Sequence, residues 1–252
     1  MRHVEHVMGT AVSIELADPL PAATKVGMID QTVAWLHEVD RRFSTYKPHS
    51  EIRRLGRGDL TVAECSSDVR EVLATCAELW RETDGFFDAY ATGQLDPSGF
   101  VKGWSVEVAS RWLAANGSSH HCLNAGGDIR ARGCPSPGRQ WRIGVRHPWQ
   151  PDKLSWVVTG NDVAVATSGI YERGEHVIDP VRGRPATQLQ SVTVVGPDLG
   201  RADAYATTAM AMGRTGLAWL ARLDQAGYAS AAVTADGRAY TSRSLPATAL
   251  AA

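Results

Sequence analysis

Alternating apolar and polar positions begin the chain. Val12, Ile14 and Leu16 lie on one face of an extended segment, because side chains two residues apart in a strand share a face. A proline-rich turn at residues 18–21 ends this pattern. Over residues 26–43 the apolar positions then recur at helical spacing. The pattern therefore predicts a half-buried strand followed by a long helix with one buried face.

Two more helices are predicted in the first half of the chain. One covers residues 68–83. The other covers residues 101–115, and Gly117 follows it at the position where a helix end commonly needs a left-handed residue. The apolar stripe of this helix is formed by Val101, Trp104, Val108 and Trp112. The long first helix and the helix over residues 68–83 are each expected to be covering helices with one buried face.

The second half of the chain groups its helices instead of alternating them strictly with strands. Strand-like runs cover 121–124, 141–145, 156–166, 191–196, 229–234 and 238–241, and helical patterns cover 203–212 and 216–226. This order predicts an α+β fold, with mixed or antiparallel sheets covered by helices. We predict a single domain over residues 1–244 and a disordered tail at 245–252.

Composition narrows the classes of function. The chain has 252 residues, of which 44% are hydrophobic and 21% charged, which is enough apolar material for a large core. The formal net charge of −1 supplies no field that would attract nucleic acid or an anionic membrane. Any anion must therefore be held by local groups.

The cysteines and the N-terminal residues indicate the compartment. Cys65, Cys76, Cys122 and Cys134 form no CxxC pair and have no metal-ligand spacing, so reduced thiols are expected. The first residues enter a strand without an apolar signal segment, and no run of 18 apolar residues occurs. We therefore expect a soluble, cytoplasmic protein with no membrane insertion and no nucleic-acid partner.

A turn that carries Asp96 and Gly99 leads into the helix that contains Lys102. The N–H groups at a helix N-terminus favour an anion, and glycine lets the backbone approach it closely. A lysine in the first turn would add a positive charge. The alternative is a plain capped helix with a solvated lysine.

A second pattern, Asp203 and Thr207, places a carboxylate and a hydroxyl four residues apart on one helix face. Both are hard oxygen ligands of the kind that Mg²⁺ prefers, and Mg²⁺ takes its remaining ligands from water and substrate phosphate. The alternative is an N-cap aspartate with an incidental threonine.

His176 and Asp179 place an imidazole and a carboxylate three residues apart before a turn rich in Gly and Pro. Histidine is the usual general base near neutral pH, and Asp179 could orient it. The other seven histidines are expected at the surface or partly buried. Residues 124–128, which end a strand with two glycines and Asp128, form another backbone-lined turn, but neither a dinucleotide fingerprint nor a Walker loop occurs.

The order of these motifs along one chain is more specific than any of them alone. The motifs are MGT (8–10), STYKPHSEI (44–52), DPSGFVKGW (96–104), NAGGDI (124–129), TSGIY (167–171), HVIDP (176–180) and ADAYATT (202–208). In this order they resemble the ApbE family of FAD:protein FMN transferases, over nearly the whole chain. One departure is a short segment at residues 86–95, where the family commonly has a longer one.

The resemblance implies a reaction and a set of site residues. Family members bind FAD and Mg²⁺, cleave the diphosphate and pass FMN to a threonine or serine hydroxyl of a partner flavoprotein, releasing AMP. It implies two interleaved lobes with the FAD and Mg²⁺ site between them. The implied metal ligands are Asp203, Thr207 and the backbone carbonyl of Gly99; the implied FAD contacts are Met8, Tyr46, Asp96, Lys102 and Val177; and the implied catalytic histidine is His176.

Two other functions fit the same residues. The first is a magnesium-dependent FAD diphosphatase that uses water as the acceptor, since nothing in the sequence identifies a surface that admits a partner peptide. The second is a flavin-binding protein without turnover, which would keep the pocket residues without needing His176. AMP and FMN release, followed with and without candidate acceptors, separates the three functions.

Overall fold

The computed structural model describes residues 1–174 and 177–249. Within them the helices are α1 (Ala22–Phe43), α2 (Glu51–Gly56), α3 (Ser67–Glu82), α4 (Ser98–Ala115), α5 (Ile170–Arg173), α6 (Leu199–Met212) and α7 (Arg214–Leu223), with short 3₁₀ turns at Val62–Glu64 and Asp224–Ala226. The strands are β1 (Arg2–Val7), β2 (Thr10–Leu16), β3 (His121–Ala125), β4 (Asp128–Arg132), β5 (Trp141–Arg146), β6 (Leu154–Gly160), β7 (Asp162–Gly169), β8 (Ile178–Asp179), β9 (Arg184–Pro185), β10 (Leu189–Gly196), β11 (Ala229–Thr234), β12 (Ala239–Thr241) and β13 (Ala247–Ala249). The predicted α+β class is confirmed.

The largest sheet has eight strands in the order β1-β2-β3-β4-β7-β10-β11-β12, and every neighbouring pair is antiparallel. A smaller antiparallel sheet has the order β13-β6-β5, and β8 pairs with β9 in a short hairpin. Because side chains alternate along a strand, each face of the large sheet can contact a different layer.

Two hydrophobic cores lie on opposite faces of the large sheet. Strand β7 shows the division, since Ala164 and Ala166 belong to the core beneath the helices, whereas Val163 and Val165 belong to the core beneath the small sheet. The helices therefore cover one face and the small sheet covers the other. The candidate site described below lies on the helical side.

Helix α4 is buried on more sides than its predicted apolar stripe indicated. It contacts α1, α6 and strands β3 and β4, and Trp112, predicted within the buried stripe, is 37% exposed. The helix begins at Ser98, three residues earlier than predicted, so Gly99 belongs to its first turn. Gly117 has a positive φ of 97°, as its position after the helix predicted.

Three local predictions were wrong. The run predicted as one strand over 156–166 forms β6 and β7, which a bend at Asn161 separates and which belong to different sheets. Residues 247–249 of the predicted disordered tail pair with β6 as β13, because Leu245 and Ala247 pack against the core beneath the small sheet. His121, predicted at the surface or partly buried, is fully buried.

Two tight turns lie side by side at one end of the large sheet. Met8 and Gly9 join β1 to β2 with φ values of 54° and 70°, and Gly126 and Gly127 join β3 to β4 with 60° and 102°. Two-residue turns with positive φ at both positions match the twist of a hairpin. The N–H of Gly126 donates to the carbonyl of Ala11 at 3.2 Å, which ties the second turn to β2 beside the first turn.

The four cysteines are free thiols, as predicted. Burial raises the pKa of the Cys76 thiol to about 12, which disfavours its reactive thiolate form. Of the helices in the described residues, none combines the length and apolar composition that crossing a bilayer requires.

Candidate functional site

A cavity of about 720 Å³ opens at the end of the large sheet where the two turns lie. Its walls come from the end of α1, residues 44–47 and 86–92, the first turn of α4, residues 177–178 and helix α6. All eight residues predicted to bind FAD or the metal line it, namely Met8, Tyr46, Asp96, Gly99, Lys102, Val177, Asp203 and Thr207. The volume falls within the range of small-molecule sites.

Helices α4 and α6 cross in direct contact beneath this cavity. A Cβ atom added to Gly103 would lie 2.5 Å from the carbonyl oxygen of Leu199 and 2.8 Å from the Cβ of Asp203. The absence of a side chain at Gly103 therefore permits the crossing distance. Because of this contact, the N–H of Gly103 donates to Oδ2 of Asp203 at 3.0 Å.

Gly99, Thr207 and Ser168 meet one turn away along the same crossing. A Cβ added to Gly99 would lie 3.7 Å from Oγ1 of Thr207, so the backbone of Gly99 and the Thr207 hydroxyl are neighbours. The hydroxyls of Ser168 and Thr207 are 3.2 Å apart. The three predicted metal ligands, Gly99, Asp203 and Thr207, therefore lie together on the cavity wall.

Asp203 is an acid in an unfavourable electrostatic setting. Its burial and the nearby carboxyl of Asp128 raise the pKa of Asp203 to about 8, although Lys102 and the N–H of Gly103 oppose this rise. A carboxyl that is both buried and beside a like charge is destabilised when ionised.

Lys102 occupies the position between the cavity and Asp128. Its ammonium lies 2.7 Å from Oδ2 of Asp128, and its side chain is 21% exposed. Oδ1 of Asp128 accepts the N–H of Thr167 on β7 at 3.1 Å. The alternative of a solvated Lys102 is therefore wrong, since the ammonium lies in an ion pair with a buried carboxylate.

Three of the predicted FAD contacts, Met8, Tyr46 and Asp96, come from the first 100 residues and line the cavity. Met8 adopts a left-handed backbone conformation that a side chain rarely takes, and Ser105 donates to its sulfur at 3.8 Å. Tyr46 is 95% exposed, so its ring is available to a ligand. Asp96 precedes α4 and accepts the N–H of Ser98 at 2.9 Å, which orients the first turn of the helix.

The two predicted catalytic residues lie in a different part of the chain. His176 lies outside the described residues, and Val177, which follows it, lines the cavity. Asp179 borders a second depression of about 270 Å³. Its carboxylate accepts the N–H groups of Val181 and Arg182 at 3.0 and 3.1 Å and pairs with the Arg182 guanidinium at 2.6 Å.

These contacts determine the charge of Asp179. Burial alone would raise the pKa of its carboxyl, but the Arg182 guanidinium and the two N–H groups outweigh burial and lower it. Asp179 is therefore an ionised residue that organises its own turn. Its role in orienting His176 stays a prediction.

Sequence reasoning missed two features of the site. The first is Asp128, whose glycine turn was noted without a partner, because nothing in the sequence pairs it with Lys102. The second is the apolar wall contributed by Phe86 and Phe87 from the short segment at 86–95. The adjacent aromatic residues Phe86 and Phe87, which precede the predicted binding turn at Asp96, were the signal in the sequence for this apolar wall.

The donor set at the α4–α6 crossing fits a divalent cation. A buried carboxyl, a hydroxyl and a backbone carbonyl are hard oxygen donors, and Mg²⁺ needs only a few of them from protein. A dication would also relieve the repulsion between the two buried carboxyls. Gly99, Asp203 and Thr207 are the residues that would hold it.

Several characterised proteins are similar to this chain. The FAD:protein FMN transferase of Vibrio cholerae is 35% identical over 129 residues, which are 47% of this chain and 39% of the relative. The protein of the same name from Escherichia coli K12 is 33% identical over 129 residues, covering 37% of its own length. The chain thus spans well under half of these relatives. The one from Haemophilus influenzae is 25% identical over 272 residues, with 82% and 79% of the two chains covered.

Solved structures share the fold. The flavin transferase ApbE of Vibrio cholerae matches with a TM-score of 0.82 at 24% identity, covering 97% of both chains. The ApbE protein of Thermotoga maritima matches with a TM-score of 0.85 at 21% identity, covering 96% of this chain and 97% of its own. At these identities the likeness concerns the fold.

The family assignment comes from a match across most of the chain. The model of the ApbE family matches residues 8–93 and 89–230. These segments contain every residue that lines the cavity. By this match, together with the shared fold, the chain belongs to the ApbE family.

Proposed function

We propose that this protein is a magnesium-dependent FAD:protein FMN transferase, which cleaves the diphosphate of FAD and transfers FMN to a threonine or serine hydroxyl of a partner flavoprotein. The observation that carries this proposal is the gathering of all eight predicted FAD and metal residues around one cavity. Membership of the ApbE family indicates the reaction that the cavity would carry out.

The cavity offers separate surfaces to the parts of FAD. Phe86, Phe87 and Met8 provide apolar walls, and exposed Tyr46 offers a ring face against which a planar ring can stack. Lys102, in the first turns of α4, is a cation on the cavity wall that can face the diphosphate. The flavin and adenine rings would therefore contact the apolar and aromatic walls while the diphosphate lies toward α4 and α6.

The metal ligands lie beside Lys102. A magnesium ion held by Gly99, Asp203 and Thr207 would neutralise charge on the diphosphate and on the AMP leaving group. The protein's task is then to fix the diphosphate in line with the acceptor, because phosphoryl transfer depends on positioning and charge neutralisation.

The acceptor hydroxyl must lose its proton as it attacks. His176 is the residue proposed to accept it, and the next residue, Val177, lines the cavity. Asp179, held by Arg182 and two backbone N–H groups, is the proposed orienting group. The acceptor oxygen would bond to the phosphorus of FMN as the bond between that phosphorus and the AMP oxygen breaks, and the hydroxyl proton would move to the imidazole.

The decisive experiment follows AMP, free FMN and protein-bound flavin together. Wild type and Asp203→Ala are incubated with FAD and MgCl₂, with and without candidate acceptor flavoproteins. Covalent flavin on a threonine or serine of the acceptor, with equimolar AMP, is expected for wild type only. FMN and AMP without covalent flavin, even with acceptors present, would indicate a diphosphatase, and FAD binding without cleavage would indicate a carrier.

A further inference from the structure

The Lys102–Asp128 ion pair lies between the predicted metal site and the tip of the β3–β4 hairpin. We propose that Asp128 is a positioning residue, whose carboxylate neutralises Lys102 so that the lysine and a divalent cation can lie side by side at the same diphosphate. This inference rests on the proposed function for the identity of the metal site.

The carboxylate of Asp128 is fixed in place by its surroundings. It is fully buried at the start of β4, directly after the Gly126–Gly127 turn. Its Oδ1 accepts the N–H of Thr167 at 3.1 Å, on the neighbouring strand β7. The side chain therefore cannot turn away to solvent.

The other oxygen of Asp128, Oδ2, faces Lys102 on the side away from the cavity. Oδ2 lies 2.7 Å from the Lys102 ammonium, and the Asp128 carboxyl is near enough to Asp203 to raise the pKa of that residue. Lys102 and Asp203 both line the cavity, whereas Asp128 supports them from beneath. Asp128 thus contacts one residue proposed for the diphosphate and one proposed for the metal.

A charge argument shows why such a residue is needed. A dication on Asp203 would lie close to the Lys102 ammonium, and two positive charges a few ångströms apart repel each other strongly at low dielectric. Lys102 without a partner would therefore weaken metal binding. A metal ion that binds Asp203 displaces the proton from its carboxyl. With Asp128 also ionised, the group of Lys102, Asp128 and Asp203 then carries one net negative charge, which favours the metal.

Removing either charge changes this balance in a defined way. Asp128→Asn leaves the group neutral, Lys102→Met leaves two negative charges, and the double variant restores one. Each unit of charge is expected to change metal affinity on the order of tenfold. Affinity should therefore be highest for Lys102→Met, equal for wild type and the double variant, and lowest for Asp128→Asn.

The measurement is Mn²⁺ binding to FAD-free protein, by electron paramagnetic resonance titration at one fixed pH. Asp152→Asn, on the exposed loop before β6, makes the same chemical change outside the site and should bind Mn²⁺ like wild type. Thermal unfolding with and without Mn²⁺ gives a second readout, because a ligand that binds the folded state raises its stability.

Recovery of wild-type affinity in the double variant is the result that supports the proposal. The alternatives are that Asp128 is itself a metal ligand or only holds the hairpin in shape. In either case Asp128→Asn would reduce Mn²⁺ affinity as much in the Lys102→Met background as in wild type, and the double variant would not recover wild-type affinity. Should Asp128→Asn fail to fold, Lys102→Met alone decides, since binding no tighter than wild type overturns the proposal.

Failure of this inference can be told from failure of the proposed function. A wild-type protein that binds Mn²⁺ and transfers FMN, paired with a double variant that does not recover, contradicts only the role of Asp128. If the double variant recovers Mn²⁺ affinity but wild type transfers FMN to no acceptor, the positioning role of Asp128 is supported and the proposed transferase function is contradicted.

Discussion

The backbone N–H of Gly103 and the carboxylate of Asp203 form a hydrogen bond of 3.0 Å between two helices. This bond requires the helices to touch, since a Cβ on residue 103 would lie 2.5 Å from the carbonyl oxygen of Leu199. In a regular helix this N–H points to the carbonyl of residue 99, which is itself a predicted metal ligand. Gly103 therefore couples helix packing to the orientation of the metal site.

Substitution of Gly103 by alanine should damage both packing and metal binding. The added methyl group meets backbone, which cannot move aside as a flexible side chain would, so we expect a loss of about 3 kcal/mol in the free energy of unfolding. The comparison is Gly27→Ala, at an exposed position of α1 with nothing within 4 Å of the new Cβ. That variant should gain about 0.5 to 1 kcal/mol from helix propensity. Equal effects in urea titrations would contradict the close crossing.

Asp203→Asn should separate metal binding from stability. The substitution keeps the shape of the side chain and removes an acid that is costly to ionise, so the melting temperature without metal should not fall. Stabilisation by Mg²⁺ and FMN transfer should both disappear. Thr207→Val, which removes an uncharged oxygen ligand, should weaken Mg²⁺ binding less than Asp203→Asn does. A melting temperature that still rises with Mg²⁺ in Asp203→Asn would show that the cation binds elsewhere.

His176→Ala should leave FAD and Mg²⁺ binding close to wild type while slowing transfer by about 10² to 10⁴-fold, the usual contribution of a positioned acid or base. Flavin fluorescence titration reports binding, and mass spectrometry of the acceptor reports covalent flavin. The matched control is His49→Gln, an exposed histidine that should leave both unchanged. Full transfer activity in a folded His176→Ala protein would exclude the catalytic role.

Acid should destabilise the fold through His121. The carbonyl of Ser118 accepts from Nδ1 at 3.0 Å, so Nε2 accepts the hydroxyl of Ser110 at 2.8 Å and the ring is neutral. Burial lowers the pKa of His121 from 6.5 to about 4, outweighing the Ser118 bond, which raises it. Below pH 6.5 the unfolded chain therefore binds a proton that the folded protein does not.

The free energy of unfolding should thus decrease as pH falls from 6.5 to about 4, by about 3 kcal/mol from this residue alone. Urea titrations across this range, compared between wild type and His121→Gln, measure the contribution. Wild type should lose stability more steeply than the variant, which has no proton to bind at this position. Parallel pH profiles would contradict the assignment.

The sequence predicted those parts of the site that depend on local spacing. Asp203 and Thr207 share a face because they are four residues apart in a helix, and Asp96 and Gly99 stand at the start of α4 because turn residues precede a helical pattern. Both follow from periodicity and capping, which act over a few residues. The long helix α1 was predicted for the same reason.

The sequence could not predict contacts that only the tertiary fold creates. Lys102 meets Asp128 because the β3–β4 hairpin ends beside α4, and His121 is buried where β3 packs against α4. The boundary between β6 and β7 was missed for a different reason. The polar run at residues 159–162 between them was a signal in the sequence for a break in the strand, and the prediction passed over it.

The hydrogen bond between Gly103 and Asp203 joins residues that are 100 positions apart. Closing so long a loop is among the slower events of folding, because its entropy must be lost before the contact contributes. The proposed ligands on α4 and α6 therefore come together only when the intervening sheet is in place. A chain halted with its helices formed but unpaired would hold no divalent cation there, so metal uptake would mark the completion of folding.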